Sequence, residues 1–422
     1  MRTRLALGAV VLFAAAPARG DSALTLDQAV QQALAHNERA GIATLDVTVS
    51  EAAVAKARSA FLPVLSASGN DTYGPWDKEP KNSLRGSLTL SQPIINPSAW
   101  PLYDQAKHSL DAAQAQSTDD RRQLAFDAAK AYMNVLLADS VLQAAQKRLE
   151  TAKADVDDTD AQVKAQLASS NDVTRAQISL ASSVREVASD QGSLEAAYVQ
   201  LEFTINGKAP RQLARPEALL AQSDKALTAV DQLVAESLKT RPDLLVRKAA
   251  ALAAHDFARE PRYRYLPTLS AQAQGNASSA GTPSGHDVDA TLSLVAGWSI
   301  YDAGVRTADA RSRDAQAQIA DLETVQLERS IDAQVRSAAV QLGAAQQAVV
   351  AARDAVTQSQ KSAQETAILY HQGLAKAIEL VDANEQRFLA EVTLAQAEFS
   401  LATAYFALLQ AMGRGPLQWE VP

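Results

Sequence analysis

The chain has 422 residues, a formal net charge of −8, 5% aromatic residues, 17 glycines and no cysteine. The lack of cysteine excludes disulfides, thiolate nucleophiles and zinc–thiolate centres, and the acidic balance argues against nucleic-acid binding, which needs a basic footprint. An alanine-rich, glycine-poor composition suits long helices packed close together better than a thick globular core.

Residues 1–20 read as a signal peptide. Arg2 and Arg4 precede an apolar run from Leu5 to Ala16, and Ala16, Ala18 and Gly20 offer small residues for cleavage. The run is too short to span a bilayer. No cysteine follows it, so a lipoprotein anchor is excluded. Beyond it no run of about 18 apolar residues occurs, so the mature chain would enter a membrane only as a closed β-barrel.

The remainder is an internal duplication, with a first repeat over 21–215 and a second over 216–422. Phe61-Leu62-Pro63-Val64-Leu65-Ser66 recurs as Tyr265-Leu266-Pro267-Thr268-Leu269-Ser270, and Asp27-Gln28 recurs as Asp231-Gln232. A period of roughly 200 residues is too long for a solenoid unit and signals two fused half-molecules. Each repeat reads as helix, strand, strand, long helix, long helix.

The first helices are expected over 25–60 and 228–258. Asp27 and Asp231 complement the helix dipole in their first turns, and Pro242 restarts the second segment. Strands follow at about 62–73, 84–95, 266–276 and 290–301, by the period-two alternation of half-buried strands. Leu84, Gly86, Leu88 and Leu90 alternate with Arg85, Ser87, Thr89 and Ser91. Ala290, Leu292, Leu294 and Ala296 alternate with Thr291, Ser293 and Val295. Tyr73, Trp76, Trp100, Tyr103, Tyr265, Trp298 and Tyr301 cluster near the strand ends, as in an interfacial girdle. Four strands of roughly ten residues can cross an outer membrane but cannot close a barrel alone. A soluble antiparallel sheet with core aromatics would carry a similar pattern.

No proline or glycine occurs from Leu102 to Gln191, and between Gly304 and Gly413 only Gly343 and Gly373 interrupt. Leu124, Ala128, Ala131, Val135, Ala138, Leu142, Ala145, Leu149, Ala152, Val156, Thr159 and Val163 step by four and three. The second repeat holds the same register from Ile331 to Tyr370, and Phe388, Val392, Ala395, Phe399, Ala402, Phe406 and Leu409 keep it on the return. A sustained heptad imposes a left-handed coiled coil. From Leu102 to Ala165 such a helix would reach roughly 96 Å. A soluble periplasmic coiled-coil scaffold or adaptor is the other architecture with long heptad helices.

Leu88-Thr89-Leu90-Ser91-Gln92-Pro93-Ile94-Ile95-Asn96, with Ser98 and Trp100, resembles the strand-to-helix passage of the TolC outer-membrane factor family, the outer-membrane efflux proteins. Phe61-Leu62-Pro63 and Tyr265-Leu266-Pro267 look like its helix-to-strand turns, and Arg241-Pro242-Asp243-Leu244 like the start of its second repeat. Ile300-Tyr301-Asp302-Ala303-Gly304 is similar to its strand exit. Tyr370-His371-Gln372-Gly373-Leu374 and Glu379-Leu380-Val381-Asp382-Ala383 resemble its periplasmic hairpin and the acidic stretch after it. The sequence departs from the family in four places: the first repeat has Asn96-Pro97 where the second has Asp302-Ala303-Gly304, the first hairpin reads Gln166-Leu167-Ala168 without glycine, Ala375 replaces a common cation, and His36-Asn37-Glu38 lacks a common Asn-Pro.

The resemblance implies a mainly α fold with a small transmembrane β part. Three chains would each give four strands to one 12-stranded barrel and their helices to a periplasmic α-barrel. It implies an outer-membrane channel of a tripartite efflux pump or type I secretion system. The partners would be a periplasmic adaptor and an inner-membrane pump or ABC transporter. Glu379 and Asp382, with Asp172 at the matching place of the first repeat, would line the periplasmic aperture, where carboxylate rings select cations. Leu167, Ala168 and Ser169, and Gly373, Leu374 and Ala375, would form the adaptor-docking tips. The five histidines are scattered, and no nucleophile elbow or phosphate-cradling loop occurs. Neither a metal site, a cofactor nor an enzymatic activity is expected.

Overall fold

The computed structural model describes residues 23–74, 81–166, 168–225, 229–279, 282 and 285–417. The signal peptide, Trp76 and Leu167 lie outside them.

A Thr25 capping box opens α1 (Leu26–His36). The helix expected over 25–60 is two helices, because Asn37 takes an extended conformation (φ −74°, ψ 137°) and caps α2 (Glu38–Ser59). Asn37 Nδ2 donates to the Thr204 carbonyl (2.9 Å), and Asn206 Nδ2 donates to the His36 carbonyl (2.9 Å). The joint is therefore pinned to the end of α4 (Ser170–Ile205). In the second repeat α6 (Val230–Thr240) and α7 (Pro242–Tyr263) meet in the same way, with Pro242 at the first helical turn. At the start of the second repeat lies α5 (Glu217–Ser223), which the sequence pattern does not announce.

The strands are β1 (Val64–Gly74), β2 (Lys81–Ile95), β3 (Thr268–Ser278) and β4 (Val288–Gly297). They form one antiparallel sheet in the order β1-β2-β3-β4, so the β2–β3 pairing joins the two repeats. Its register slips between Pro93 and Ile95, where proline has no N–H to give the ladder. Residues 298–301, expected in the fourth strand, leave the sheet. The Trp298 indole donates to the Tyr265 carbonyl (2.9 Å), and the Asp302 carboxylate accepts from Gly304 and Arg306 N–H groups (3.2 and 3.0 Å) to start the next helix.

The long helices are α3 (Ala99–Lys164, 66 residues) and α8 (Val305–His371, 67 residues), each about 100 Å long at 1.5 Å per residue. They return as α4 (Ser170–Ile205) and α9 (Ala377–Ala411). Near the sheet the lateral neighbours are α2, α3, α7 and α8; towards the far end they are α4, α3, α9 and α8. Every expected seam position of α3 and α8 is buried or half-buried. Leu124, Phe126, Tyr132 and Val135 pack with Leu201, Ile205 and Phe406 in one core, while Ile331, Val335, Leu342 and Val349 pack with Leu401 and Leu408 in another. Among the described helices, α9 alone is long and apolar enough to cross a membrane (hydropathy 1.3). It lies in the coiled coil against α8 and α3.

Candidate functional site

Both long hairpins reverse through a left-handed residue. In the second it is Gly373 (φ 74°), and the Leu374 N–H then bonds to the Leu369 carbonyl (2.8 Å). Nothing lies within 4 Å of a Cβ built on Gly373, so the glycine serves the backbone conformation rather than a close approach. In the first hairpin Gln166 takes that role (φ 62°), and an L-residue there costs roughly 1–2 kcal/mol.

The return helices begin alike. Asp172 accepts from the Ser169 N–H (3.0 Å) and Glu379 from the Lys376 N–H (3.2 Å), each at the third helical position. These two acids therefore cap their helices by the same bond. Asp382 is exposed one turn beyond Glu379, on the same helix face. Among the described residues none of the three acids forms an ion pair. Ser169, Gly373 and Leu374 are exposed, and Ala168 and Ala375 half-buried.

Just inside the tips runs a polar ladder between α3 and the α8–α9 arm, which heptad patterning does not reveal. Arg148 pairs with Glu385 and lies over the Phe388 ring (4.8 Å). Arg387 donates to Thr151 (3.0 Å), Asn384 donates to Asp155 (3.0 Å), and the Tyr370 and Thr159 hydroxyls bond at 3.1 Å. Burial raises the Asp155 carboxyl above its ordinary value, against the opposing bond from Asn384. The available signal was Thr151, Asp155 and Thr159 at intervals of four, which places three acceptors on one helix stripe.

At the opposite end of α9 two Arg–Asp pairs with buried guanidinium groups meet. Arg122 binds Asp119 and donates to the Gln410 carbonyl (2.9 Å). Arg241 grips Asp243 through two bonds (2.9 and 2.6 Å) and donates to the Ala411 carbonyl (3.2 Å). Cations at carbonyls of a helix C-terminus satisfy groups that have no partner inside the helix. The Arg241-Pro242-Asp243 motif is thus a clamp on α9.

The sheet has two unlike faces. Leu65, Leu84, Leu88, Leu292 and Leu294 are exposed on one, and bonds Ser68–Ser87 (2.8 Å) and Asn276–Asp289 (3.0 Å) run across the other. The aromatics at the helix end of the sheet form edge-on pairs, Phe61 with Tyr103 and Trp100 with Tyr263, each at 6.1 Å between centroids. Further exposed apolar rows are Ile42, Leu45 and Val49 on α2, and Ile319, Leu322 and Val325 on α8.

The architecture has many counterparts. The chain superposes on the crystal structure of CusC, a transmembrane channel, with a TM-score of 0.82, 19% identity and 92% of each chain covered. It superposes on the open state of the MtrE outer membrane channel of Neisseria gonorrhoeae with a TM-score of 0.79, 19% identity, and 94% of this chain and 91% of that one covered. In sequence it is 26% identical to the outer membrane efflux protein BepC of Brucella suis, over 97% of this chain and 90% of that protein. It is 24% identical to the outer membrane protein TolC of Escherichia coli, over 92% of this chain and 82% of that protein. The profile of the outer membrane efflux protein family matches residues 29–207 and 233–414; the chain belongs to that family.

Proposed function

We propose that the chain is the outer-membrane duct of an export machine, assembled as a homotrimer and driven by an inner-membrane pump through a periplasmic adaptor. The observation that carries it is the sheet. Its apolar face is exposed, its other face is polar, and among the described residues β1 and β4 each keep one edge unpaired. In hydrocarbon an open edge leaves backbone groups unsatisfied, so such a sheet spans only when other chains close it. Three copies give twelve strands, an even number within the range of outer-membrane barrels. The exposed rows on α2 and α8 are the matching edges of the helical layer, and α3 and α8 are long enough to carry the path deep into the periplasm. An apolar outward sheet face has no role in the competing soluble scaffold.

In this trimer the tips face the periplasm. Asp382 and Glu379 would ring the aperture, with Asp172 from the first repeat beside them. Ala168, Ser169, Leu374 and Ala375 would present the docking surface, as would Leu167, outside the described residues. The family is one of efflux channels, and the duct performs no chemistry; it supplies a gate, a water-filled path and a docking end. The ladder joining α3 to α9 holds the tip closed.

Purified protein in a planar bilayer tests this. Small cation-selective openings, blocked by trivalent cations from the tip side, are expected. Glu379→Ala with Asp382→Ala should move the reversal potential in a salt gradient towards zero. Failure of the wild-type protein to insert would sink the duct, whereas an unchanged reversal potential in the variant would remove only the acidic aperture.

A further inference from the structure

The polar face of the sheet carries a recess of about 560 Å³ between β1, β2 and β3. Ser68, Asn70, Arg85, Ser87, Gln274 and Asn276 are among the polar side chains that shape it. Period-two geometry places them on one side of the sheet, and the pairings Asn70↔Arg85, Ser68↔Ser87 and Ser87↔Asn276 set them side by side. Among the described lining residues Arg85 is the one ionisable group.

Its neighbours are committed to each other. Ser68 and Ser87 share a bond of 2.8 Å. Gln274 donates to Asn276 Oδ1 (2.8 Å), and Asn276 Nδ2 donates to Asp289 Oδ1 (3.0 Å). This relay holds the Asp289 carboxylate on β4, beyond β3 from Arg85. The Arg85 guanidinium makes no hydrogen bond or ion pair among the described residues. The clamp arginines differ, since Arg122 and Arg241 are both saturated by carboxylates and carbonyls. A guanidinium left open in a wall of hydroxyls and amides offers a planar fork of donors that matches a carboxylate or phosphate.

We propose that this recess is an anion-binding station on the wall of the duct. It takes a carboxylate or phosphate group of a solute in transit, and Arg85 recognises it. The station rests on the proposed barrel, because closure is what turns the polar face into a lumen. It also gives the path two signs, with acids at the tip and a cation in the membrane section, so that an anionic group passing the aperture meets attraction beyond it. At physiological salt the screening length is about 8 Å, shorter than the separation of equivalent strands in a twelve-stranded ring. The three stations should therefore act independently, one per chain.

The test is isothermal titration of the detergent-solubilised protein with inorganic pyrophosphate at physiological ionic strength, where the screening argument holds, with its mass measured by light scattering on the same sample. Saturable, non-cooperative binding of one pyrophosphate per chain is expected. Arg85→Gln should weaken it by about tenfold or more, the worth of a charge-assisted bond. Arg85→Lys, which keeps the charge and loses the fork, should retain part of the affinity and guards against a folding defect. A wild-type trimer with no saturable binding overturns the station, as does equal affinity in wild type and Arg85→Gln; in both cases the barrel stands. A sample that never forms trimers removes the barrel, and the lumen station with it.

Discussion

Gly413 is fixed by its surroundings more tightly than any tip residue. It sits at φ 75°, and an added Cβ would lie 2.8 Å from Arg241 Cα and 2.9 Å from Arg241 Cγ. Left-handed strain of roughly 1–2 kcal/mol would add to a clash with backbone that cannot yield. Gly413→Ala should therefore lower stability by about 2 kcal/mol or more, read as a fall in the thermal midpoint. The clamp residue Asp243 has its own pH signature. Burial opposes its ionisation, but the bonds and charge of Arg241 and the Leu244 N–H outweigh that and hold the carboxyl below its usual range. A depressed folded value means stability present above the unfolded pKa, about 3.9, and lost as pH falls through the folded value. Acid should loosen the joint only in that window, and Asp243→Asn should flatten the profile there. Asp155 has the opposite sign: burial raises its carboxyl, so its contribution is full below the unfolded pKa and declines as pH rises through the folded one. Asp155→Asn, which can still accept from Asn384, should raise the midpoint at neutral pH and lose that advantage in acid.

At the scale of elements, the ladder between α3 and α9 would give the proposed gate a measurable strength. A hydrogen bond contributes about 1 kcal/mol net. Removing two rungs with Tyr370→Phe and Arg387→Ala should shift the closed–open balance by roughly tenfold or more, seen as more frequent large-conductance openings in a bilayer. Unchanged opening would show that closure is held elsewhere. Much of this architecture was legible. The heptads of α3, α8 and their returns predicted the buried seam because packing follows the 3.6-residue geometry directly. The joint at Arg241-Pro242 was legible because proline cannot continue a helix. Its twin at Asn37 was not, since asparagine is ordinary in a helix and the break depends on Thr204 and Asn206, about 170 residues away in sequence. The ladder was hidden for the same reason: Asn384 and Arg387 read as solvated surface until the α9 register sets them opposite Asp155 and Thr151. For Glu379 and Asp172 the sequence supplied the charge, and the structure adds that both cap a helix.

Across the whole molecule the unpaired edges make the strongest demand. The row on α2 and the row on α8 lie at opposite sides of the helical layer, so one chain cannot bring them together and a ring of copies can. Such a contact is heterologous, and it closes when the rotation returns to the first copy. Leu45 stands roughly 21 Å below the end of α2 at Ser59, and Ile319 stands roughly 21 Å below the start of α8 at Val305, at 1.5 Å per residue. Both ends abut the sheet, so the two side chains meet at one height in the proposed ring. Leu45→Lys or Ile319→Glu alone would bury a charge without a partner in every interface, a cost of several kcal/mol, and should abolish the trimer in native electrophoresis. Together in one chain they place Lys against Glu at all three interfaces and should restore part of it. Rescue of this kind requires that α2 of one copy face α8 of the next. A double variant no better than the worse single would show that these rows do not oppose one another, and the ring would have to close through another pair of faces.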